Sequence, residues 1–202
     1  MIEVKSLTKS FGENTVFKDL SFKIDDGEFV VFSGKSGCGK TTMLNLIGGI
    51  DTPDSGEILV DGADITKQKN RIEYFRSKVS FLFQNFALID NKTVEENLNM
   101  VKKKTHTDTT IEQALESVGI KDKLKAKVYT LSGGEQQRVA LARIMIKKCD
   151  IILADEPTGS LDKENAQGVM EILKKLNEQG KTVILVTHDE ELKKTGSRII
   201  EL

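Results

Sequence analysis

The sequence of 202 residues contains no Trp, two Pro, two Cys and two His. Two cysteines, Cys38 and Cys149, are too few for a disulfide framework, and no Cys-x-x-Cys pair predicts a metal site. No apolar run approaches the ~20 residues that a membrane-spanning helix requires. The start of the chain alternates like a β-strand and lacks the charged-then-apolar pattern of a signal peptide. These absences predict a cytosolic protein that would serve a membrane only as a peripheral subunit.

Charge of one sign is also lacking, because 30 Lys and Arg face 31 Asp and Glu, for a net charge of −1. A balance of this kind leaves no basic footprint for nucleic acid or for an anionic membrane surface. With 38% hydrophobic and 30% charged residues, the composition is typical of a globular domain that can bury a core. We therefore expect one domain and no nucleic-acid partner.

The hydrophobic pattern predicts an α/β fold. Short apolar runs at 29–32, 79–83, 151–154 and 183–186 are typical of buried strands in a parallel sheet, and a final strand is expected at 199–200. Helical patterns at 41–48, 109–118, 134–148 and 163–179 separate them. Shorter strands are predicted at 2–4, 16–22 and 57–61, before the turn-forming Asp61-Gly62. The helical, charged segment 85–148 reads as a subdomain inserted into a core of residues 1–84 and 149–202. Its lysine-rich stretch 102–104 is expected to be a solvated surface.

A glycine-rich segment, GKSGCGKTT at 34–42, follows the first of the buried runs and leads into a predicted helix. It matches the phosphate-binding pattern G-x-x-x-x-G-K-[ST] in the strand–loop–helix context that this pattern requires. Glycines let backbone N–H groups approach phosphate oxygens, and the start of the helix adds N–H groups and the positive end of its dipole. We therefore expect this phosphate loop to bind nucleotide through Gly34, Ser36, Gly37, Cys38 and Gly39.

The first residues of that helix carry the remaining phosphate chemistry. Lys40 would place a positive charge on the β- and γ-phosphates, the Thr41 hydroxyl would ligate Mg²⁺, and Thr42 would lie nearer the α- and β-phosphates. A thiol close to a helix N-terminus can react readily, so one hypothesis makes Cys38 a reactive thiol that bound nucleotide shields. The alternative is that Cys38 is a small residue filling a position in the loop.

Two adjacent acids, Asp155 and Glu156, follow the buried run 151–154 and precede Pro157. Successive side chains of a strand point in different directions, so the two carboxylates can perform different tasks. Asp155 would reach the Mg²⁺ shell, and Glu156 would polarise a water in line with the γ-phosphate. Both acids would lie at the carboxyl edge of the sheet, where ligands of open α/β sheets bind.

The sequence LSGGEQQR at 131–138, here called the signature segment, precedes the acidic strand. Ser132 supplies a hydroxyl, and Gly133 and Gly134 expose backbone amides at the start of a predicted helix, which makes a second anion site. Ser132 also suits the N-cap of that helix, and the two interpretations are compatible.

These motifs together closely resemble those of ATP-binding-cassette (ABC) ATPases, over nearly the whole chain. The resemblance implies a P-loop NTPase (RecA-like) core with a mainly parallel sheet, an N-terminal antiparallel β subdomain and the inserted helical subdomain. It implies ATP and Mg²⁺ as cofactors. It also implies a head-to-tail dimer, expected to be a homodimer, in which Ser132, Gly133, Gly134 and Glu135 of each chain cap the ATP on the other chain's phosphate loop.

The resemblance assigns roles to further residues. Gln84 resembles the Q-loop glutamine, which touches Mg²⁺ and the attacking water, and Asp162 resembles the D-loop aspartate at the dimer interface. His188 resembles the switch histidine, which contacts the γ-phosphate and joins Glu156, Gln84 and Lys40 in catalysis. Phe11 takes the place of the aromatic residue that stacks on adenine, although packing in the core is an alternative. Lys35 replaces a proline found in many relatives, without an expected effect on catalysis.

The segments 49–56 and 83–89 resemble the lipoprotein-release and macrolide-exporter branch, and still more the compact ATPases of bacteriocin or antimicrobial-peptide exporters. This branch implies an ATPase that energises a separate membrane permease, at the inner face of the cell membrane, and exports peptide or lipophilic substrates. The end of the chain soon after Ile200 predicts that the regulatory extension of many importers is missing. The alternative is a non-transport ABC ATPase that acts on ribosomes or DNA, but neither a second cassette nor coiled-coil arms are found.

Overall fold

The computed structural model describes residues 1–202, which form two β-sheets and seven α-helices. The strands are β1 (Ile2–Phe11), β2 (Asn14–Ile24), β3 (Phe29–Ser33), β4 (Ser55–Val60), β5 (Ala63–Asp64), β6 (Val79–Leu82), β7 (Ile151–Asp155), β8 (Thr182–Val186) and β9 (Arg198–Glu201). The helices are α1 (Lys40–Ile47), α2 (Gln68–Ser77), α3 (Val94–Leu98), α4 (Ile111–Ser117), α5 (Gly133–Ile146), α6 (Lys163–Glu178) and α7 (Glu190–Lys193).

The larger sheet is parallel throughout, in the order β6-β7-β8-β3-β9, and the smaller sheet is antiparallel, in the order β2-β1-β4-β5. The four buried strands predicted for the parallel sheet and the strand at its end are therefore confirmed. The fold is the predicted α/β P-loop type, with an antiparallel sheet supplied by the first third of the chain.

Both faces of the parallel sheet are covered, which explains why its strands are apolar throughout. Val30 and Phe32 of β3 pack in a cluster with α1 and the antiparallel sheet, whereas Phe29 and Val31 pack in a second cluster with α3, α4, α5 and α6. All four side chains are buried. Helix α1 thus lies between the two sheets, and this packing fixes the direction of the loop that precedes it.

Two features of the N-terminal region differ from prediction. Strand β1 continues well past Val4, where the predicted strand ended. The sequence did not show this, because an irregularity between Val4 and Leu7, with Ser6 at φ +46°, interrupts the period-two pattern that defines a strand in sequence. Helix α2 was not predicted, since Tyr74 is its only buried residue and the apolar stripe that marks a helix is therefore missing.

The segment between β6 and β7 contains α3, α4 and α5 and no strand of either sheet. Side chains cap the starts of these three helices: Thr93, Thr110 and Ser132 each form a reciprocal capping box with the residue three positions later. The lysine-rich stretch 102–104 is exposed, as predicted. None of the helices is both long and apolar enough to cross a membrane.

Candidate functional site

Four neighbouring strands of the parallel sheet end next to the predicted site residues. The phosphate loop follows β3, Asp155 and Glu156 lie at the end of β7, His188 follows β8, and Gln84 follows β6. Since parallel strands end at the same edge, the sheet gathers residues that are far apart in sequence.

The phosphate loop packs tightly against the hairpin of β1 and β2. Gly39 has φ +100°, and a Cβ at this position would lie 2.6 Å from Cζ of Phe17. Both the backbone conformation and the close approach therefore require glycine. The loop and the hairpin are held together at this point.

Lys40 and Thr41, at the start of α1, are already oriented by partners. The Lys40 ammonium donates to the carbonyl oxygens of Gly34 and Lys35, at 2.9 Å each, and so closes over the loop. The Thr41 hydroxyl donates to Oδ1 of Asp155 at 3.1 Å. A hydroxyl and a carboxylate at this separation are the oxygen ligands that Mg²⁺ prefers.

The electrostatics around Asp155 also suit a cation. Burial raises the pKa of the Asp155 carboxyl above its ordinary value, and the nearby Glu156 carboxylate raises it further, whereas Thr41 and Lys40 act in the opposite direction. A buried carboxylate beside another acid carries negative charge that a divalent ion would offset. The residues present therefore fit the Mg²⁺ that the resemblance implies.

Glu156 is held in an unusual conformation beside His188. Its φ is +45°, its backbone N–H donates to the carbonyl of Val186 at 3.0 Å, and its own carbonyl accepts from Gly159 at 3.1 Å. Oε2 of Glu156 lies 2.9 Å from Nδ1 of His188. A non-glycine residue with positive φ is costly and persists only when its surroundings hold it. The neighbouring Asp155 contacts Thr41 instead, so the two acids do point to different partners.

A cavity of about 510 Å³ opens where these elements meet. Nine of the predicted site residues line it, together with one that was not predicted, Val186 at the end of β8. The lining residues are Gly34, Ser36, Gly37, Gly39, Lys40, Thr41, Thr42, Glu156, Val186 and His188.

Three predicted residues lie beside this cavity and do not line it. Asp155 is connected to the cavity by its hydrogen bond with Thr41, which lines it. Gln84 extends toward the turn after Glu156, where a Cβ on Gly159 would lie 3.4 Å from its Nε2. The Cys38 thiol lies against Gly34, 3.8 Å from Nζ of Lys40, as a small residue filling the loop would. The hypothesis that this thiol reacts stays a prediction.

The signature segment and Asp162 do not reach the phosphate cavity of their own chain. Ser132 is the N-cap of α5: its hydroxyl accepts from the Glu135 N–H at 3.3 Å, and the Glu135 carboxylate accepts from the Ser132 N–H at 2.8 Å. The backbone hydrogen bond from Ser132 is the main reason that the pKa of Glu135 is lowered. Asp162 caps α6 through the N–H of Asn165 at 2.9 Å.

Asn165 connects the starts of these two helices, and the sequence analysis did not predict this role. Its Nδ2 donates to Asp162 at 2.7 Å, its Oδ1 accepts from Arg138 at 3.0 Å, and a Cβ on Gly134 would lie 2.7 Å from it. Only the Asp-x-x-Asn spacing could have indicated the contact with Asp162.

Phe11 lies at the end of β1, opposite Asn14 in the hairpin, and is 53% exposed. The alternative that it packs in the core is therefore wrong. Phe11 does not line the phosphate cavity. Its hairpin nevertheless contacts the phosphate loop, because Val16 and Phe17 pack on Gly39.

The family model described as ABC transporter matches residues 17–159. The chain belongs to the ABC transporter family. It is 41% identical to the macrolide export ATP-binding/permease protein MacB of Campylobacter jejuni, over 100% of this chain and 33% of MacB. It is 37% identical to the putative hemin import ATP-binding protein HrtA of Staphylococcus epidermidis, over 98% of this chain and 95% of HrtA.

A solved structure of another ATP-binding cassette has the same fold. The dimeric, post-hydrolysis structure of the ATP-binding cassette MJ0796 bound to ADP and Pi has a TM-score of 0.87 and 38% identity, and the match covers 100% of this chain and 94% of that one. The chain is thus an ABC-type ATPase domain that binds ATP, which confirms the predicted fold and enzyme class. It spans about a third of the length of MacB.

Proposed function

We propose that this ABC ATPase domain works as a head-to-tail homodimer that energises a separate membrane permease. In this proposal the domain lies at the inner face of the cell membrane, where the permease holds it. Residues 85–148 act as a helical subdomain that carries the signature segment, and residues 1–84 and 149–202 form the catalytic core. The substrate proposed for export is a peptide, an antimicrobial or another lipophilic compound.

The dimer is proposed because two anion-binding elements lie apart within one chain. The phosphate cavity lies at the end of β3, whereas Ser132, Gly133 and Gly134 begin α5 and do not line that cavity. Backbone amides at a helix start bind anions, and a single chain offers this second set no phosphate. A second copy of the chain, related by a two-fold axis, supplies the phosphate of its own bound ATP. The dimeric structure of MJ0796 bound to ADP and Pi supports a dimer.

In the proposed mechanism, the phosphate loop and Lys40 bind the β- and γ-phosphates of ATP. Thr41, Asp155 and Gln84 would hold Mg²⁺, which when bound neutralises charge on these phosphates. Glu156 accepts the proton of the attacking water, and its carboxylate is positioned by the contact with His188 at 2.9 Å. His188 then contacts the γ-phosphate.

The remaining predicted contacts complete the nucleotide site. Phe11 stacks on adenine with its exposed face. Across the dimer, the Ser132 hydroxyl and the amides of Gly133 and Gly134 meet the γ-phosphate of the partner chain's ATP, with Glu135 holding Ser132 in place through the capping box. Asp162 keeps α6 and its preceding loop in place at the interface.

A surface groove of about 520 Å³ supports a permease as the partner. It lies between β6 with α2 on one side and the helical segment on the other. Four large apolar side chains of this groove are exposed: Ile72, Phe75, Ile89 and Met100. An exposed apolar patch of this kind marks an interaction site.

Basic side chains also line the groove, and two of them, Arg143 and Lys147, donate to backbone carbonyls beside it. Arg76, Lys102, Arg143 and Lys147 line it, and burial lowers the pKa of the Lys147 ammonium. The groove therefore fits a short amphipathic segment with an apolar face and acidic side chains, which we assign to a cytoplasmic loop of the permease. Because Phe83 of the groove precedes Gln84, such a segment would press on the residue proposed to touch the attacking water.

The test is a pull-down of the tagged chain from detergent-solubilised cells. We expect a membrane-spanning protein in stoichiometric amount with the wild type, and its loss with Met100→Asp. A matched control is Ile199→Asp, which places the same charge at an exposed apolar residue on β9, outside the groove. ATPase activity of each purified variant should stay near wild type. Recovery of ribosomes or DNA-bound proteins, without a membrane partner, would refute the transport proposal.

Export is supported by the name of MacB, whereas the name of HrtA points to import. Once the permease is known, ATP-driven movement of a fluorescent lipophilic substrate can be followed in inverted membrane vesicles. Accumulation inside the vesicles indicates export, and loss of preloaded substrate indicates import. Glu156→Gln, which should block hydrolysis, is the control for both directions.

A further inference from the structure

Lys9 is a buried lysine next to Phe11 that the mechanism above does not use. Its side chain is only 10% exposed. The ammonium donates to Oδ1 of Asp51 at 3.0 Å and to the carbonyl of Thr52 at 2.9 Å, and it lies over the Phe11 ring, 4.9 Å from the centroid. A cation within about 6 Å of a ring centroid is attracted by the electrons of the ring face.

The anchor of Lys9 is itself fixed to β1. In the segment 51–54, the Asp54 carboxylate accepts from the Ser10 N–H at 2.7 Å, and the Asp54 N–H donates to the carbonyl of Thr8 at 2.9 Å. This segment follows α1, the helix that starts at the phosphate loop. The position of the Lys9 ammonium is therefore set by the same elements that set the phosphate loop.

The orientation of the Phe11 ring depends on a contact from another side chain. Phe11 is 53% exposed and lies at the tip of a hairpin, and phenylalanine has no hydroxyl that could anchor the ring. With the ammonium on one face, the ring can offer only the opposite face to a ligand. A ring without this contact would have to lose conformational freedom when a base binds.

We propose that Lys9 is a positioning residue for the adenine base, whose ammonium holds one face of Phe11 so that the other face is presented to the nucleotide. This inference rests on the proposed function, in which Phe11 stacks on adenine. The competing role is purely structural: Lys9 would tie the segment 51–54 to β1, without any effect that passes through Phe11.

A double-mutant cycle separates the two roles. The Kd for Mg·ATP is measured by calorimetry for the wild type, Lys9→Met, Phe11→Ala and the double variant. We expect Lys9→Met to raise the Kd about two- to fivefold when Phe11 is present and to leave it unchanged in the Phe11→Ala background. Lys9→Arg, which keeps a cation over the ring, should restore the wild-type Kd. Lys18→Met removes an exposed lysine of β2 as a control for net charge.

Equal effects of Lys9→Met in both backgrounds, or no effect in either, would overturn the inference while leaving the stacking of Phe11 intact. A wild-type Kd in Phe11→Ala would instead refute the adenine role of Phe11. If Lys9→Met fails to fold, as judged by its thermal transition, Asp51→Asn serves in the same cycle. It weakens the anchor and keeps the lysine, and its smaller increase in Kd should also vanish when Phe11 is absent.

Discussion

The imidazole Nδ1 of His188 lies 2.9 Å from a carboxylate oxygen of Glu156. The two residues follow neighbouring parallel strands, β8 and β7, and the contact forms although His188 is otherwise 78% exposed. An exposed histidine with one ordered partner can exchange that partner for a ligand at small cost. The side chain proposed to contact the γ-phosphate is thus already beside the proposed catalytic base.

His188→Ala should separate catalysis from binding. Losing a hydrogen bond to a charged group in the transition state lowers kcat about ten- to a hundredfold. The Kd for ADP should stay near wild type, because ADP lacks the γ-phosphate that His188 is proposed to contact. Steady-state kinetics and calorimetry with ADP check both parts, and an equal loss of ADP affinity would contradict this role.

Glu156→Gln should keep ATP binding and slow hydrolysis about 10²- to 10⁴-fold, because the amide cannot accept the proton of the attacking water. ATP then persists between the two chains, so the variant should accumulate as a dimer with Mg·ATP and stay monomeric with Mg·ADP. Light scattering behind a sizing column measures the mass. A variant that stays monomeric with Mg·ATP would count against the assignment of the base or against the dimer.

Lys40→Ala should weaken ATP binding by at least about tenfold and nearly abolish turnover, since a charge-assisted contact to the β- and γ-phosphates is lost. Lys35→Ala is the matched control. It removes the same charge from the same loop, but only the backbone carbonyl of Lys35 takes part in the loop's hydrogen bonds. Titration with a fluorescent ATP analogue compares the two, and equal losses would mean that net charge alone binds the phosphates.

The residues of the phosphate cavity were predictable because motif spacing and strand position agree. Glu156 and His188 each lie just beyond a short apolar run, and Lys40 begins the helix after the phosphate loop that follows another such run. Parallel strands bring such positions to one edge of the sheet. The full length of β1 was not predictable, because Ser6 breaks the alternation through a bulge. The burial and contacts of Lys9 were not predictable either, because its partner Asp51 is distant in sequence and adjacent only in the folded chain.

The glycines of α6 and of its end allow a stability test that needs no assumption about function. Gly168 lies inside the helix, Gly180 just beyond it with φ +90°, and a Cβ at either position would meet no atom within 4 Å. The two substitutions to alanine therefore differ in backbone conformation and not in steric contact.

Gly168→Ala should stabilise the protein by about 0.5–1 kcal/mol, because alanine loses less backbone entropy in a helix. Gly180→Ala should destabilise it by about 1–2 kcal/mol, because an L side chain is strained at that φ. Thermal unfolding followed by circular dichroism should show a transition raised by about 1–4 °C for the first variant and lowered for the second. Shifts in the same direction would show that backbone conformation does not control stability at these positions.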